Sequence, residues 1–252
     1  MLDVQFFGNP DFMEYARLLY DLHVALREGR DETSDGEALR ERMDEPGGRL
    51  SGEEIASVNG ISADFYSLTD EPLADVSPIT AEVMADLEAA LEARKSKDFN
   101  KALELLRIYA RHIPPASLAY LRGRAWLEAG EHPIAAAFLR RASELDPDNA
   151  NYRYLALHSL WMSSPSTAIE EAQAILLNSE KNPPRLVLKA ADILSHQTRT
   201  RPPDQTREEL KSLIPILQNS IFRLETSGEA EIDPNLLGEA FGLIDYCNVH
   251  II

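Results

Sequence analysis

The chain has 252 residues, 44% of them hydrophobic and 27% charged, with a net charge of −17 and a single cysteine, Cys247. That apolar fraction excludes a disordered polymer, and the lone cysteine excludes an intramolecular disulfide framework or a multi-cysteine zinc site. The length allows one elongated domain or two small ones.

Residues 1–80 hold 18 acidic side chains against 6 basic ones and no lysine. Phosphate backbones and anionic lipid surfaces are repelled by such a surface, so neither nucleic acid nor membrane is expected as a partner. No run of about 18 apolar residues is present, and the opening MLDVQFFGNP lacks the basic, apolar and small-residue zones of a secretory signal. The expected location is cytoplasmic.

Helix is the only strong periodic signal along the chain. The first helix is expected from Asp11, after Pro10, with Glu14 as capping-box partner, to Gly29. Phe12, Tyr15, Ala16, Leu19, Leu22, His23 and Leu26 form its apolar stripe. A short helix follows over Gly36–Met43, and another opens at Ser51 with Glu54 at capping-box spacing and ends at Gly60. Ala63, Phe65, Tyr66 and Leu68 continue the apolar pattern up to TDEPLADVSPIT, whose prolines and acids read as a connector. The expected organisation is an acidic N-terminal helical region, 1–80, and a second helical domain, 81–252.

From residue 81 the chain reads as helices joined by short turns. In Ala116–Asn149, Gly123 is followed three residues later by Trp126, Gly130 stands at the turn, the next helix carries Ala135, Leu139 and Ala142, and SELDPDN closes the segment with Pro147. This segment resembles a tetratricopeptide repeat, a unit of 34 residues. Ala119 and Arg122 depart from the pattern, standing where the family has tryptophan and leucine. Weaker copies flank it. Upstream, Val83–Pro115 has Phe99, Ala102 and Leu106 in a second helix and Pro114 at its end. Downstream, Ala150–Pro183 has Tyr154, Leu157, Leu160 and Trp161, then Ala168, without a turn glycine. A fourth pair, Leu186–Leu194 and Glu208–Leu224, is separated by HQTRTRPPDQT, a connector long for the family, and Pro215 is expected to kink its second helix.

The resemblance implies an all-α fold, a right-handed α-solenoid of three to four antiparallel helix pairs plus a C-terminal helix. It also implies a polypeptide bound on the concave surface lined by first helices. The groove positions it marks are Tyr120 and Arg124 in the central unit, Tyr154, His158 and Trp161 in the next, and Arg185 beyond. Ser117, Leu127, Glu128, Asn151, Met162, Leu188 and Asp192 extend the same faces. The same spacing also describes aromatic side chains buried between repeats, and both readings stand. Leu87 and Leu91 occupy positions where the family's chaperone-tail clamp carries charged donors, which disfavours that class of partner.

No phosphate-cradling glycine loop, nucleophile elbow or His-Glu zinc helix is present, so the chain is expected not to be an enzyme and to need no cofactor or metal. Cys247 and His250 lack a third local ligand, and His23, beside Asp21 and Glu28 on one helix, lies on the apolar stripe where a hydrogen-bonded core histidine is expected. The expected role is an adaptor or scaffold for a protein or peptide, with a basic partner compatible with the acidic surface. Two alternatives stand beside it. One is a homo-oligomer formed through the apolar helix Leu236–Ile252, and the other a regulatory subunit acting through the acidic N-terminal region.

Overall fold

Asn9 starts the first long helix. Its side chain accepts a hydrogen bond from Asp11 N at 3.0 Å, and Pro10 follows in the first turn, where a missing N–H costs nothing. The cap therefore lies two residues ahead of the expected Asp11. The computed structural model describes residues 6–72, 75–199, 201–226 and 234–251, and among these the regular structure is entirely helical, with no strand. The chain divides into two compact units, Met1–Leu145 and Asp146–Ile252.

The first unit contains α1 (Pro10–Arg27), α2 (Ser34–Gly47), α3 (Gly52–Tyr66), α4 (Ala81–Lys95), α5 (Phe99–Ile108), α6 (Pro115–Glu128) and α7 (His132–Leu145), with a short 3-10 helix at Phe6–Gly8 and another at Ala110–His112. Helices α4 and α5 pack as one pair and α6 and α7 as another, while α1 packs on α2 and α3, and α3 on α5. Ser51 and Glu54 form the expected capping box at α3, and Glu54 also accepts a hydrogen bond from Asn9 at 2.7 Å, so one carboxylate ties two helix starts together.

Gly60 does not end α3. The helix runs through it, and the Arg107 guanidinium lies against its bare backbone, where a side chain would displace it. Arg107 reaches past Gly60 to Asp64, one turn on, donating from Nε to Oδ1 at 3.2 Å and from Nη2 to Oδ2 at 2.8 Å. Arg122 of α6 donates from Nη2 to Asp64 Oδ1 at 2.6 Å and from Nη1 to Ser67 Oγ at 2.9 Å. Asp64 and Arg122 are 2% and 4% exposed, so this ionic knot sits inside the protein. An aromatic cluster surrounds the same seam, with Phe65 ring centroids 6.3 Å from Trp126 and 6.1 Å from Phe138, and Phe7 5.1 Å from Trp126. These ion pairs and ring contacts all run across residue 80.

In the α6–α7 pair, a Cβ on Gly123 would stand 2.7 Å from Leu139 Cγ, and Trp126, Ala135, Leu139 and Ala142 are all buried. Small residues at the crossing let the backbones approach and large neighbours fill what remains. Gly130 takes φ +86° in the turn, where Glu131 N donates to Trp126 O at 2.9 Å and closes the helix end.

The second unit contains α8 (Ala150–Ser163), α9 (Pro165–Leu177), α10 (Pro184–Thr198), α11 (Pro203–Thr226) and α12 (Pro234–Ile251). Its core is drawn from all five, including Leu157, Ala168, Ala191, Ile193, Leu217 and Cys247. The expected long connector before α11 shrinks to residues 199–202, because α10 continues through HQT to Thr198 and α11 starts at the second proline of the RPP run. Pro215 lies within a helix assigned as continuous. The C-terminal helix folds back on α10 and α11, burying Ala240, Leu243 and Cys247.

Two substitutions measure these constraints. Ala135→Leu is expected to destabilise by about 1–3 kcal/mol through overpacking, and Gly123→Val by a similar amount; an unchanged urea midpoint for both would remove them from the crossing. Asp64→Ala leaves Arg122 without a counter-charge in the interior and is expected to cost about 3–5 kcal/mol, so a loss below about 1 kcal/mol in the same measurement would mean the knot does not hold the unit together.

Candidate functional site

The positions singled out in the sequence fall into two groups, one in each unit. In the first unit, Tyr120 and Arg124 lie one turn apart on α6 and are partly exposed. Arg124 Nη1 donates to Tyr120 Oη at 3.1 Å and Arg124 Nη2 to Glu128 at 2.7 Å. Glu128 also accepts from Arg94 of α4, so the α6 face is linked to the first helix of the preceding pair. These bonds and the other charges nearby hold the Arg124 guanidinium above its ordinary pKa, against the effect of burial. The patch is a charged, ordered strip with one phenol in it.

The second unit supplies a broader face. Tyr154 of α8 and Arg185 of α10 are brought together, the guanidinium carbon 4.6 Å from the ring centroid. This is close enough for a cation–π contact. Further along, Trp161 of α8 lies 6.1 Å from His196 of α10, which in turn lies 3.5 Å from Asp192. Tyr154, His158 and Trp161 are partly exposed, and Met162 is 52% exposed. Leu188 is 2% exposed and belongs to the core, so the expected run from Arg185 through Leu188 to Asp192 is interrupted by a buried residue. Trp161 packs against the core with one side while remaining partly open on the other. It thus shares in both readings that the spacing allowed.

Sequence reasoning did not single out His196, because it placed that residue in the connector after Leu194, whereas α10 runs on to Thr198 and sets His196 against Trp161 across helices. Nor did it single out the Asp64 knot. The signal there was Arg122, a cation standing at an apolar position of the repeat pattern, which demands a buried acid from elsewhere.

The weighed catalytic and metal candidates are not assembled. Cys247 is buried, whereas His250 is exposed with Nδ1 2.9 Å from Tyr246 O. Among the described residues, no three His, Cys, Asp or Glu side chains group as a metal ion would require. Nor is any helix among them long and apolar enough to cross a membrane. His23 is a core residue, its ring edge-on to Tyr66 at 5.2 Å, but its Nε2 has no hydrogen-bond partner among the described residues, unlike the bonded histidine expected. Comparison with protein-family models, curated proteins and solved structures finds no match for this chain.

Burial pushes the His23 pKa below its ordinary 6.5, with Arg27 acting in the same direction and Asp70 opposing. The folded state therefore prefers the neutral ring while the unfolded chain takes up the proton first. Stability from this group is complete above about pH 6.5 and is lost as pH falls through the lower folded value. The urea midpoint of the wild type is expected to drop more between neutral and mildly acid pH than that of His23→Leu. Parallel pH profiles for the two proteins would mean that His23 does not titrate with unfolding.

Proposed function

We propose that the chain is a non-enzymatic adaptor or scaffold that binds a polypeptide, and that its helix pairs are tetratricopeptide-like and wind in the right-handed sense. The pairs are α4 with α5, α6 with α7, α8 with α9 and α10 with α11. The close crossing at Gly123 and Leu139, with Gly130 in the turn between the helices, supports that reading of the central pair.

The observation that carries the binding reading is the face shared by α8 and α10, the first helices of successive pairs. There Tyr154 under Arg185 and Trp161 beside His196 leave large, partly exposed rings next to polar groups. Interface cores favour this mixture, since aromatic rings lose little side-chain entropy on binding and supply large apolar areas, while Arg adds directional donors. Tyr120 and Arg124 form a second, more polar patch in the first unit and are proposed to contact the same partner. The acidic surface of residues 1–80 favours a basic polypeptide through faster encounter rather than through the bound contacts.

Self-association is the second reading, and one observation favours it. Phe241 and Val249 of α12 are 50% and 66% exposed. They lie eight residues apart on one side of the helix, beside Gly238 and Gly242, where an added Cβ would meet nothing. Sedimentation equilibrium of the intact chain, against Phe241→Ser, separates a dimer built on that face from a monomer.

Affinity capture with the intact chain, followed by mass identification, supplies partners, and calorimetric titration with a retained partner then tests the site. Tyr154→Ala is expected to cost about 2 kcal/mol or more, roughly thirtyfold in affinity. Charge reversal over Asp31–Glu45 is expected to change mainly the salt dependence. If only the charge-reversed protein loses binding at moderate salt, the partner sits on the acidic region and the α8–α10 reading fails.

A further inference from the structure

A cleft of about 260 Å3 opens in the first unit between the connector that follows α3 and the helices beyond it. The helix side presents three guanidiniums, Arg111, Arg122 and Arg141. The connector side presents three carboxylates, Asp70, Glu71 and Asp75. Ile113, Leu118 and Ala119 supply apolar lining.

The connector is tied down on both sides of this opening. Arg141 Nη2 donates to Asp70 O at 2.8 Å, Ser77 N donates to Arg111 O at 2.8 Å, and His112 Nδ1 lies 2.8 Å from Pro78 O. Two of the cleft's guanidiniums have donors to spare. Arg122 is 4% exposed, and while its Nη1 and Nη2 hold Ser67 and Asp64, its buried Nε has no acceptor among the described residues. A charged donor left in that condition inside a protein is unfavourable and is relieved by an incoming oxygen acceptor. Arg111, exposed at the rim, makes no side-chain hydrogen bond or ion pair with a described residue.

The charge pattern decides what enters. A phosphate-rich ligand would place several negative charges against Asp70, Glu71 and Asp75. A simple amine would meet three guanidiniums. A molecule with one carboxylate and one ammonium on the same carbon satisfies both sides, and the apolar lining asks for a hydrocarbon body. The volume lies just below the roughly 300–1,000 Å3 of pockets for drug-sized ligands, so the ligand is small. We propose that this cleft binds a free aliphatic α-amino acid, with its carboxylate toward Arg111 and Arg122 and its ammonium toward the connector acids. The proposal does not rest on the polypeptide-binding face of the second unit.

Titration calorimetry of the intact chain with L-leucine is expected to show saturable one-to-one binding. 4-Methylpentanoate, which lacks the ammonium, and isoamylamine, which lacks the carboxylate, are each expected to bind at least about tenfold more weakly, since each leaves one wall unpaired. Arg111→Gln and Asp75→Asn, both exposed rim positions, are expected to weaken leucine by about tenfold with unchanged circular dichroism. Absence of saturable binding at millimolar leucine overturns the proposal. So does 4-methylpentanoate binding as well as leucine, which would make the cleft a carboxylate site alone, or leucine binding that neither rim variant weakens. Polypeptide capture is measured separately with the same variants, so failure of either reading leaves the other's outcome distinct.

Discussion

A carboxylate held between two guanidiniums away from water sets the terms for the first unit. Burial pushes the Asp64 carboxyl above its ordinary pKa and the Arg122 guanidinium below its own, so neither side chain tolerates that environment alone. The two arginines oppose that effect of burial on the carboxyl, and Asp64 in turn gives Arg122 the counter-charge that a cation needs inside a protein. Because the partners come from α3, α5 and α6, their mutual need fixes how the N-terminal helices dock on the helix pairs. Gly60 belongs to the same arrangement, since any side chain there would displace Arg107. Hydrophobic burial around Phe65, Trp126 and Phe138 supplies the larger driving force, and the ionic knot supplies a particular register.

The helices were legible in the sequence for physical reasons that act locally. The Ser51–Glu54 capping box, the Gly130 turn and the small residues Gly123 and Ala135 each encode a feature in a few neighbouring positions, and the structure places them accordingly. Where sequence reading slipped, a distant partner had intervened. Gly60 has the composition of a helix end, but Arg107, 47 positions on, makes it a point of close approach. The HQTRTRPPDQT segment has the composition of a long loop, yet Thr198 and Pro203 bring helix almost to meet helix across it. Arg122 looked like a flaw in a repeat and is the anchor for a neighbouring region.

Less of the candidate site could be read, because periodicity assigns a residue to a face without saying what lies across from it. Tyr154 and Arg185 were marked separately and the structure pairs them. Leu188 was marked with them and lies in the core. Each of these outcomes depends on the rotation of α10 about its own axis, which a few degrees decide and which no local spacing encodes.

Asn182 ties two neighbouring helix pairs of the second unit together. Its Nδ2 donates to Ile175 O and Asn178 O, its Oδ1 accepts from Arg153 of α8, and its backbone oxygen accepts from Arg223 of α11. In an ideal repeat protein each module feels only its immediate neighbours, so modules can melt one after another from the ends. Here the turn that joins the α8–α9 pair to the α10–α11 pair is bonded to α8 on one side and to α11 on the other. Fraying of α11 releases Arg223 from that turn and weakens the hold on α8 in the same event. Unfolding of the α10–α11 pair therefore pulls on the α8–α9 pair beside it, and the melting of these neighbouring modules is coupled through a single residue.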